Sequence, residues 1–467
     1  MSAINNLSTF DDAKMTRMRK FAIWLVALGE FVDGYDLLVM GAALIMLKPE
    51  MGLTAAQTGL LGAAAFVGAG IGLLIFGELT DKLGRKKVFV VTLISFIILS
   101  IVSAFVTNYE QLMVIRFLIG IAVGAEIVTS MAFLAEISPR EKRGALAGAL
   151  PQIIWVTGAI VAQVLGGILY LNIGEGAWRW LFAFGAVPAL LILLGRAYVP
   201  ESPRWLLQQG RIEEAKKAIK KLGMSENIIT GFQPTDHSPK KSKASYLDIF
   251  RKPYTRQALL GFFILTLAPL WGSVSSVMGT YVIKYVGDLG EVFSIFAGTF
   301  LWIGALCGAI LAYLFLDKIG RFNTVILACS LGFVIAMILS TGIEKSPFWF
   351  LLTFFCLALV DKFGACSFWV IPTELLPTHL RGRAQGISNA GARFMVAFTA
   401  FIVPVGIEKI GFSTTIQLLG CSGLVLAIYA MTGRKFEPKG KSLEDSSIDQ
   451  IQNVGGSGEE QRVSARG

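Results

Sequence analysis

Twelve apolar runs follow one another along this chain, at 21–47, 54–79, 88–107, 111–135, 145–171, 178–199, 257–283, 290–316, 323–343, 348–372, 384–407 and 413–432. Each is about 20 residues or longer, enough for a helix to cross a hydrocarbon core of about 30 Å. Few folds accept such a sequence. Backbone groups in lipid must find their hydrogen bonds internally, so spans of this length are helices. Only 16% of the residues are charged, against about 25% in soluble domains, and they gather between the runs. The sequence predicts an all-α polytopic membrane protein with twelve transmembrane helices.

The formal net charge of +10 reflects topology rather than a nucleic-acid partner. Lys14, Arg17, Arg19 and Lys20 precede the first run, Lys82, Arg85, Lys86 and Lys87 follow the second, and Arg140, Lys142 and Arg143 follow the fourth. Alternate connections such as LNIGEG and VGDLGE are nearly free of Lys and Arg. The positive-inside rule then puts both termini in the cytoplasm of a plasma or inner-membrane protein. The polar first 20 residues lead into a run too long for a signal-peptide core, so no cleaved leader is expected. Cys307, Cys329, Cys356, Cys366 and Cys421 lie in or beside the runs at no metal-ligand spacing and read as packing residues.

Two pairs of motifs repeat. GELTDKLGRKK after run two returns as LFLDKIGRF after run eight, with Asp81, Gly84 and Arg85 mapping onto Asp317, Gly320 and Arg321 at an offset of 236. AEISPREKRG after run four returns as TELLPTHLRG after run ten, with Glu136, Pro139, Arg143 and Gly144 mapping onto Glu374, Pro377, Arg381 and Gly382 at an offset of 238. The chain therefore reads as a cytoplasmic segment 1–20, a six-helix bundle 21–206, a linker 207–255 carrying a surface helix in RIEEAKKAIKK, a second bundle 256–433, and a polar tail 434–467 expected to be disordered. A site between two such repeats is the usual place for transport by alternating access.

The first run carries charge where none is cheap. ALGEFVDGYDLLVMG holds Glu30, Asp33 and Asp36, and one aspartate at the centre of a membrane helix costs about 2.5–3.5 kcal/mol on insertion scales. Intramembrane carboxylates must face partners or a polar cavity, which marks them as functional candidates. Asp33 and Asp36 lie one turn apart, so the pair is expected to titrate as a unit.

GELTDKLGRKK resembles the signature between spans 2 and 3 of the major facilitator superfamily. RFLIGIAVGAE, AEISPREKRG, WRWLFAFGAVPALL and PESPRWLLQQGR resemble its sugar porter branch and the related metabolite:proton symporters, and the likeness runs from span 1 to the loop after span 10. It implies two pseudo-symmetric six-helix bundles. It also implies conformational latches at Asp81, Arg85, Glu136, Arg143, Asp317, Arg321, Glu374 and Arg381, whose carboxylate–guanidinium bonds can hold one bundle against the other. GYD maps Asp36 onto the protonatable aspartate of proton-coupled sugar porters, with Arg116 in VIRFLIG as its partner; Asp33 and Glu126 complete the expected proton-coupling group.

For the substrate site the resemblance implies Gln152 in span 5 and Trp369 in span 10. Span 7 departs from the sugar pattern, lacking its paired glutamines. Arg393 in NAGARFMVAF resembles the organic-acid branches instead, and has two readings, a contact to an anionic substrate or an ion pair with Asp361. Lys362 then pairs elsewhere or snorkels. His237 and His379 fall in connections and read as solvated.

The expected function is secondary active transport, proton-coupled uptake of a small polar metabolite (an organic acid or a sugar-like compound). A facilitative sugar or polyol porter and a non-transporting sensor are the alternatives. No catalytic motif, metal cluster or phosphate loop is present, GRKFEPKGKS having the wrong glycine spacing, so the chain is not expected to be an enzyme or to need a cofactor beyond a proton gradient. Span 5 lacks the Gly-Pro motif of drug exporters. The partners are the small molecule, protons and the lipid bilayer, and a monomer suffices.

Overall fold

The structure, a computed structural model, describes residues 10, 13–139, 146, 150–225, 249, 254–343, 346–376 and 378–437. The first span is split into α1 (Arg17–Ala27) and α2 (Gly29–Glu50). Spans two to five are α3 (Ala55–Leu83), α4 (Arg85–Ser103), α5 (Tyr109–Ile137) and α6 (Leu150–Ile173), and the sixth is α7 (Ala177–Phe184) with α8 (Ala186–Arg196). Two short helices, α9 (Pro203–Gln208) and α10 (Ile212–Lys221), lie in the connection between halves. The seventh span is α11 (Thr255–Leu267), α12 (Pro269–Ser276) and α13 (Gly279–Tyr285). It is followed by α14 (Glu291–Ile319), α15 (Arg321–Leu339), α16 (Pro347–Glu374), α17 (Thr378–Ile410) and α18 (Phe412–Met431).

Among the described residues, 11 helical stretches are long and apolar enough to cross a membrane. The first expected span is the exception. Its 22-residue helix α2 carries Glu30, Asp33, Asp36 and Lys48, too many charges for an ordinary span. Residues Val32 to Leu47 are nevertheless buried without a break, so no face of this stretch meets lipid. The bilayer instead meets exposed apolar side chains such as Val91 and Ile98 on α4, Leu191 and Leu194 on α8, and Val425 on α18.

The seventh span also differs from the continuous helix read from sequence. Pro269 has no N–H to continue the helical bonding, and the helix is interrupted there at Ala268, whose own backbone stays helical. A second break at Val277 and Met278 frees α13 to turn toward the other half.

The repeat seen in the sequence is physical. Gly68 and Gly72 of α3 let that helix lie against the backbone of α5 at Phe117 and Ile121, and Gly304 and Gly308 of α14 do the same against Phe355 and Leu359 of α16. These two glycine pairs are also 236 residues apart. At the turns after α3 and α14, Gly84 and Gly320 adopt φ of 93° and 96°, a region open to glycine and costly to other L-residues. Each turn presents two N–H groups to one carboxylate. The Arg85 and Lys86 N–H groups donate to Glu201 at 3.1 Å each, and those of Arg321 and Phe322 donate to Glu437 at 2.8 and 2.9 Å.

Gly84→Ala is expected to destabilise the protein by about 1–2 kcal/mol through the backbone alone. The new Cβ would also sit 2.5 Å from Glu201 Oε2. A lower thermal midpoint in detergent checks this, and an unchanged midpoint would contradict it.

Candidate functional site

The motif residues form one cluster in each half. Arg85 donates to Asp81 and Glu136 at 2.8 Å each, and Arg321 grips Glu374 through Nε at 2.9 Å and Nη2 at 3.1 Å. Glu136 and Glu374, set against Arg143 and Arg381 in the sequence reading, thus lie on Arg85 and Arg321. The reason is proximity: the end of α5 abuts the α3–α4 turn, and the end of α16 the α14–α15 turn. Arg143 lies outside the described residues, as do the side chains of Asp317 and Arg381. A second correction concerns what the bonds join. Each ties helices of its own half and does not bridge one half to the other.

The halves meet elsewhere. Gly59 of α3 brings the backbone of Phe401 on α17 close. Gln163 of α6 donates to the Leu38 carbonyl of α2 at 3.2 Å and accepts from Thr280 of α13 at 3.4 Å. Lys48 of α2 reaches Tyr281 Oη at 3.2 Å and stands 3.8 Å from the centre of the Tyr285 ring. Trp155 of α6 meets Trp302 of α14 edge to face, centroids 5.7 Å apart. Lys48, Thr280 and Tyr281 lie toward the ends whose connections are poor in Lys and Arg.

The intramembrane charges sort into groups. Asp36 accepts from Arg116 Nη1 at 2.8 Å, and Arg116 Nη2 donates to the Asp36 backbone carbonyl at 2.7 Å. The pair predicted from sequence is therefore in place, with Asp36 3% and Arg116 1% exposed. Asp33 does not join it. The charges within its electrostatic reach are Glu30, Glu126, Arg393 and Arg196. Asp36 is committed to α5, whereas Asp33 shares its surroundings with Glu30, which accepts from Ser130 at 2.9 Å. Asp33 Oδ2 is buried with no hydrogen-bond partner among the described residues.

Glu126 has a partner that the sequence reading missed. Arg196, at the end of α8, holds it through two bonds of 3.0 and 2.5 Å, donates to the Val26 carbonyl at 3.2 Å, and packs its guanidinium 3.9 Å from the Phe89 ring centre. It stands at the end of an apolar run, and the sequence reading gave it no role. A buried guanidinium of this kind needs a carboxylate, and Glu126 was the available signal.

Of the expected substrate residues, Gln152 is half-buried at the start of α6. Gln163, three turns further along the same face, is the glutamine that touches both halves. Trp369 is half-buried on α16, and its carbonyl accepts from Gln385 at 3.1 Å. Arg393 does not pair with Asp361. It is buried on α17 within electrostatic reach of Glu30 and Asp33 on the opposite half, and among the described residues it forms no ion pair. Asp361 instead packs against Gly272 of the broken seventh span.

The Sugar (and other) transporter family model matches residues 22–449. The inner membrane metabolite transport protein YgcS of Escherichia coli is 30% identical over 454 residues, which cover 96% of this chain and 97% of that protein. The glucose transporter GlcP of Staphylococcus epidermidis is 28% identical over 453 residues, 94% of this chain and 99% of its own. Among solved structures, the E. coli xylose transporter XylE in a partially occluded inward-open conformation superimposes with a TM-score of 0.75 at 22% identity, covering 91% of this chain and 100% of that one.

Proposed function

Because this chain belongs to the sugar (and other) transporter family, as an integral membrane transporter of the major facilitator type, we propose that it is a secondary active transporter. It takes up a small polar metabolite, an organic acid or a sugar-like compound, together with protons. The observation that carries the reading is the set of buried carboxylates on α2. Asp36 stands against Arg116, and Asp33 and Glu30 lie within electrostatic reach of Arg393 on the second half, with no cation bonded to them among the described residues. A carboxylate whose exposure or counter-charge changes between two states must take up or release a proton. Arrangement on a central helix between two bundles couples that step to their rocking.

In this form the halves are joined toward the Lys-poor ends by Lys48, Gln163, Thr280 and Tyr281. With the basic connections in the cytoplasm, this is a state closed to the outside. The Arg85–Glu136 and Arg321–Glu374 bonds act at the cytoplasmic end by keeping each bundle rigid as it rocks. A monomer in the plasma or inner membrane is sufficient, with a proton gradient as the energy source.

The test is uptake by proteoliposomes of sugars, polyols and organic acids, with and without an inward proton gradient. Accumulation of one of them above equilibrium only with the gradient is expected; equal uptake under both conditions would contradict coupling. Joined contacts at the outer end also predict an effect there. Gln163→Leu removes the bonds to Leu38 and Thr280 and is expected to favour outward-facing forms, seen as faster labelling of cysteines introduced on the outer side of α13. Unchanged labelling would contradict a gating role for this glutamine.

A further inference from the structure

The second half holds two cations without a carboxylate bonded to either. Arg393 on α17 and Lys362 on α16 are each only 8% exposed, and among the described residues neither forms an ion pair. Their charges act on one another, which makes the arrangement more unfavourable still. The Lys362 ammonium lies 4.4 Å from the Trp155 ring centroid. Such a contact repays only part of what taking an ammonium out of water costs. Packing therefore leaves most of the cost unmet. Asp361 beside Lys362 supplies one negative charge, and with Ser275, Ser276 and Trp302 lines a cavity of about 10 Å³, room for one water. Among these three groups one positive charge is left over.

We propose that Lys362 and Arg393 form the receptor for a small monocarboxylate, and that this anion competes with Glu30 and Asp33 for the charge of Arg393. The inference rests on the transport reading above and adds a substrate class and a coupling route. A guanidinium takes a carboxylate through two parallel bonds, and the ammonium, whose charge is felt at Arg393, adds a second positive charge. Trp155 Nε1, on the ring that Lys362 covers, is buried without a hydrogen-bond partner among the described residues and is a spare donor for a carboxylate oxygen.

The titratable groups around this centre are Glu30 and Asp33 of α2, Glu126 of α5, Arg196 of α8, Asp361, Lys362 and Cys366 of α16, and Arg393 of α17. Glu126 and Arg196 hold each other. When an anion occupies Arg393, Glu30 and Asp33 lose their nearest unpaired counter-charge, and a buried carboxylate without one is better accommodated with a proton. The anion thus brings a proton onto Glu30 or Asp33 as it binds, alongside the proton that Asp36 carries, and these leave together when the halves part.

The experiment uses the purified full chain in detergent, its thermal midpoint being measured with pairs of near-isosteres: D-glucuronate and D-glucose, benzoate and benzamide, lactate and lactamide. At least one carboxylate is expected to stabilise the protein while its neutral counterpart does not. Its affinity should fall at least tenfold in Arg393→Gln and in Lys362→Gln, and survive in Lys362→Arg, which keeps the charge and guards against misfolding. Affinity should rise about tenfold per pH unit as pH falls, for one proton bound with the anion, and this dependence should vanish in the Glu30→Gln, Asp33→Asn double variant.

Stabilisation by neutral members alone, or by both members equally, overturns the receptor, as does a set in which no carboxylate stabilises. If glucose binds in place of glucuronate and a proton gradient drives its accumulation, symport stands and the carboxylate receptor falls. If a carboxylate binds through Lys362 and Arg393 with no pH dependence, the receptor stands and the competition falls.

Discussion

Asp36→Asn is expected to abolish accumulation driven by a pH gradient while leaving equilibrative exchange in place. The substitution keeps an oxygen for Arg116 Nη1 to donate to, and the 2.8 Å bond from Nη1 is the only side-chain bond that Asp36 makes to it. The second bond, to the Asp36 backbone carbonyl, does not depend on the side chain at all. Binding of α2 to α5 therefore survives, and what is removed is the capacity to carry a proton. Accumulation should fall from several-fold above the external concentration to equality with it, measured in proteoliposomes with an imposed gradient. A folded variant that binds substrate but neither accumulates nor exchanges it would contradict a specific coupling role and favour a static strut.

The second large effect is on stability. Arg196→Leu removes a guanidinium that is 2% exposed and leaves the Glu126 carboxylate, 3% exposed, without its partner. Breaking a buried pair in this way costs about 3–5 kcal/mol, whereas replacing both members by neutral groups is often nearly neutral. The single variant is expected to unfold at much lower temperature or denaturant, and adding Glu126→Gln should recover most of the loss. Transport by the double variant separates two roles. Retained coupling makes Glu126 a structural partner, and lost coupling with restored stability makes it part of the proton path. A single variant as stable as the wild type would show that water reaches the pair.

The parts of this fold that follow from local rules were legible in the sequence. Apolar length gave the spans, and the 236-residue offset linking Asp81, Gly84 and Arg85 to their counterparts gave the two halves. The structure extends that offset to Gly68 and Gly304 and to Glu201 and Glu437, each doing the same work in its half. Glu437 could not be read from sequence because its role is set by the turn it caps, and the run around it resembled only a failed phosphate loop. The Asp36–Arg116 pair was legible through the family resemblance alone, GYD marking Asp36 and VIRFLIG its arginine, and the structure joins them at 2.8 Å.

Partner choice was harder. With five carboxylates and four cations in the spans under discussion, sequence separation says little about which meet. Helix azimuth decides it, and small rotations bring Arg196 onto Glu126, Lys362 onto Trp155, and Arg393 toward α2 instead of Asp361. The breaks around Pro269 and Met278 are a further case, since a proline can be read as a kink but the direction in which α13 leaves depends on the Gln163 and Lys48 it meets.

Proton movement itself is the most direct measure of the central claim. Proteoliposomes containing a trapped pH-sensitive dye, with no imposed gradient, are given an external pulse of the compound that the isostere screen identifies. The account predicts acidification of the interior that follows the inward substrate gradient, and its absence in Asp36→Asn. Entry of labelled substrate into wild-type vesicles with no change in internal pH would contradict it.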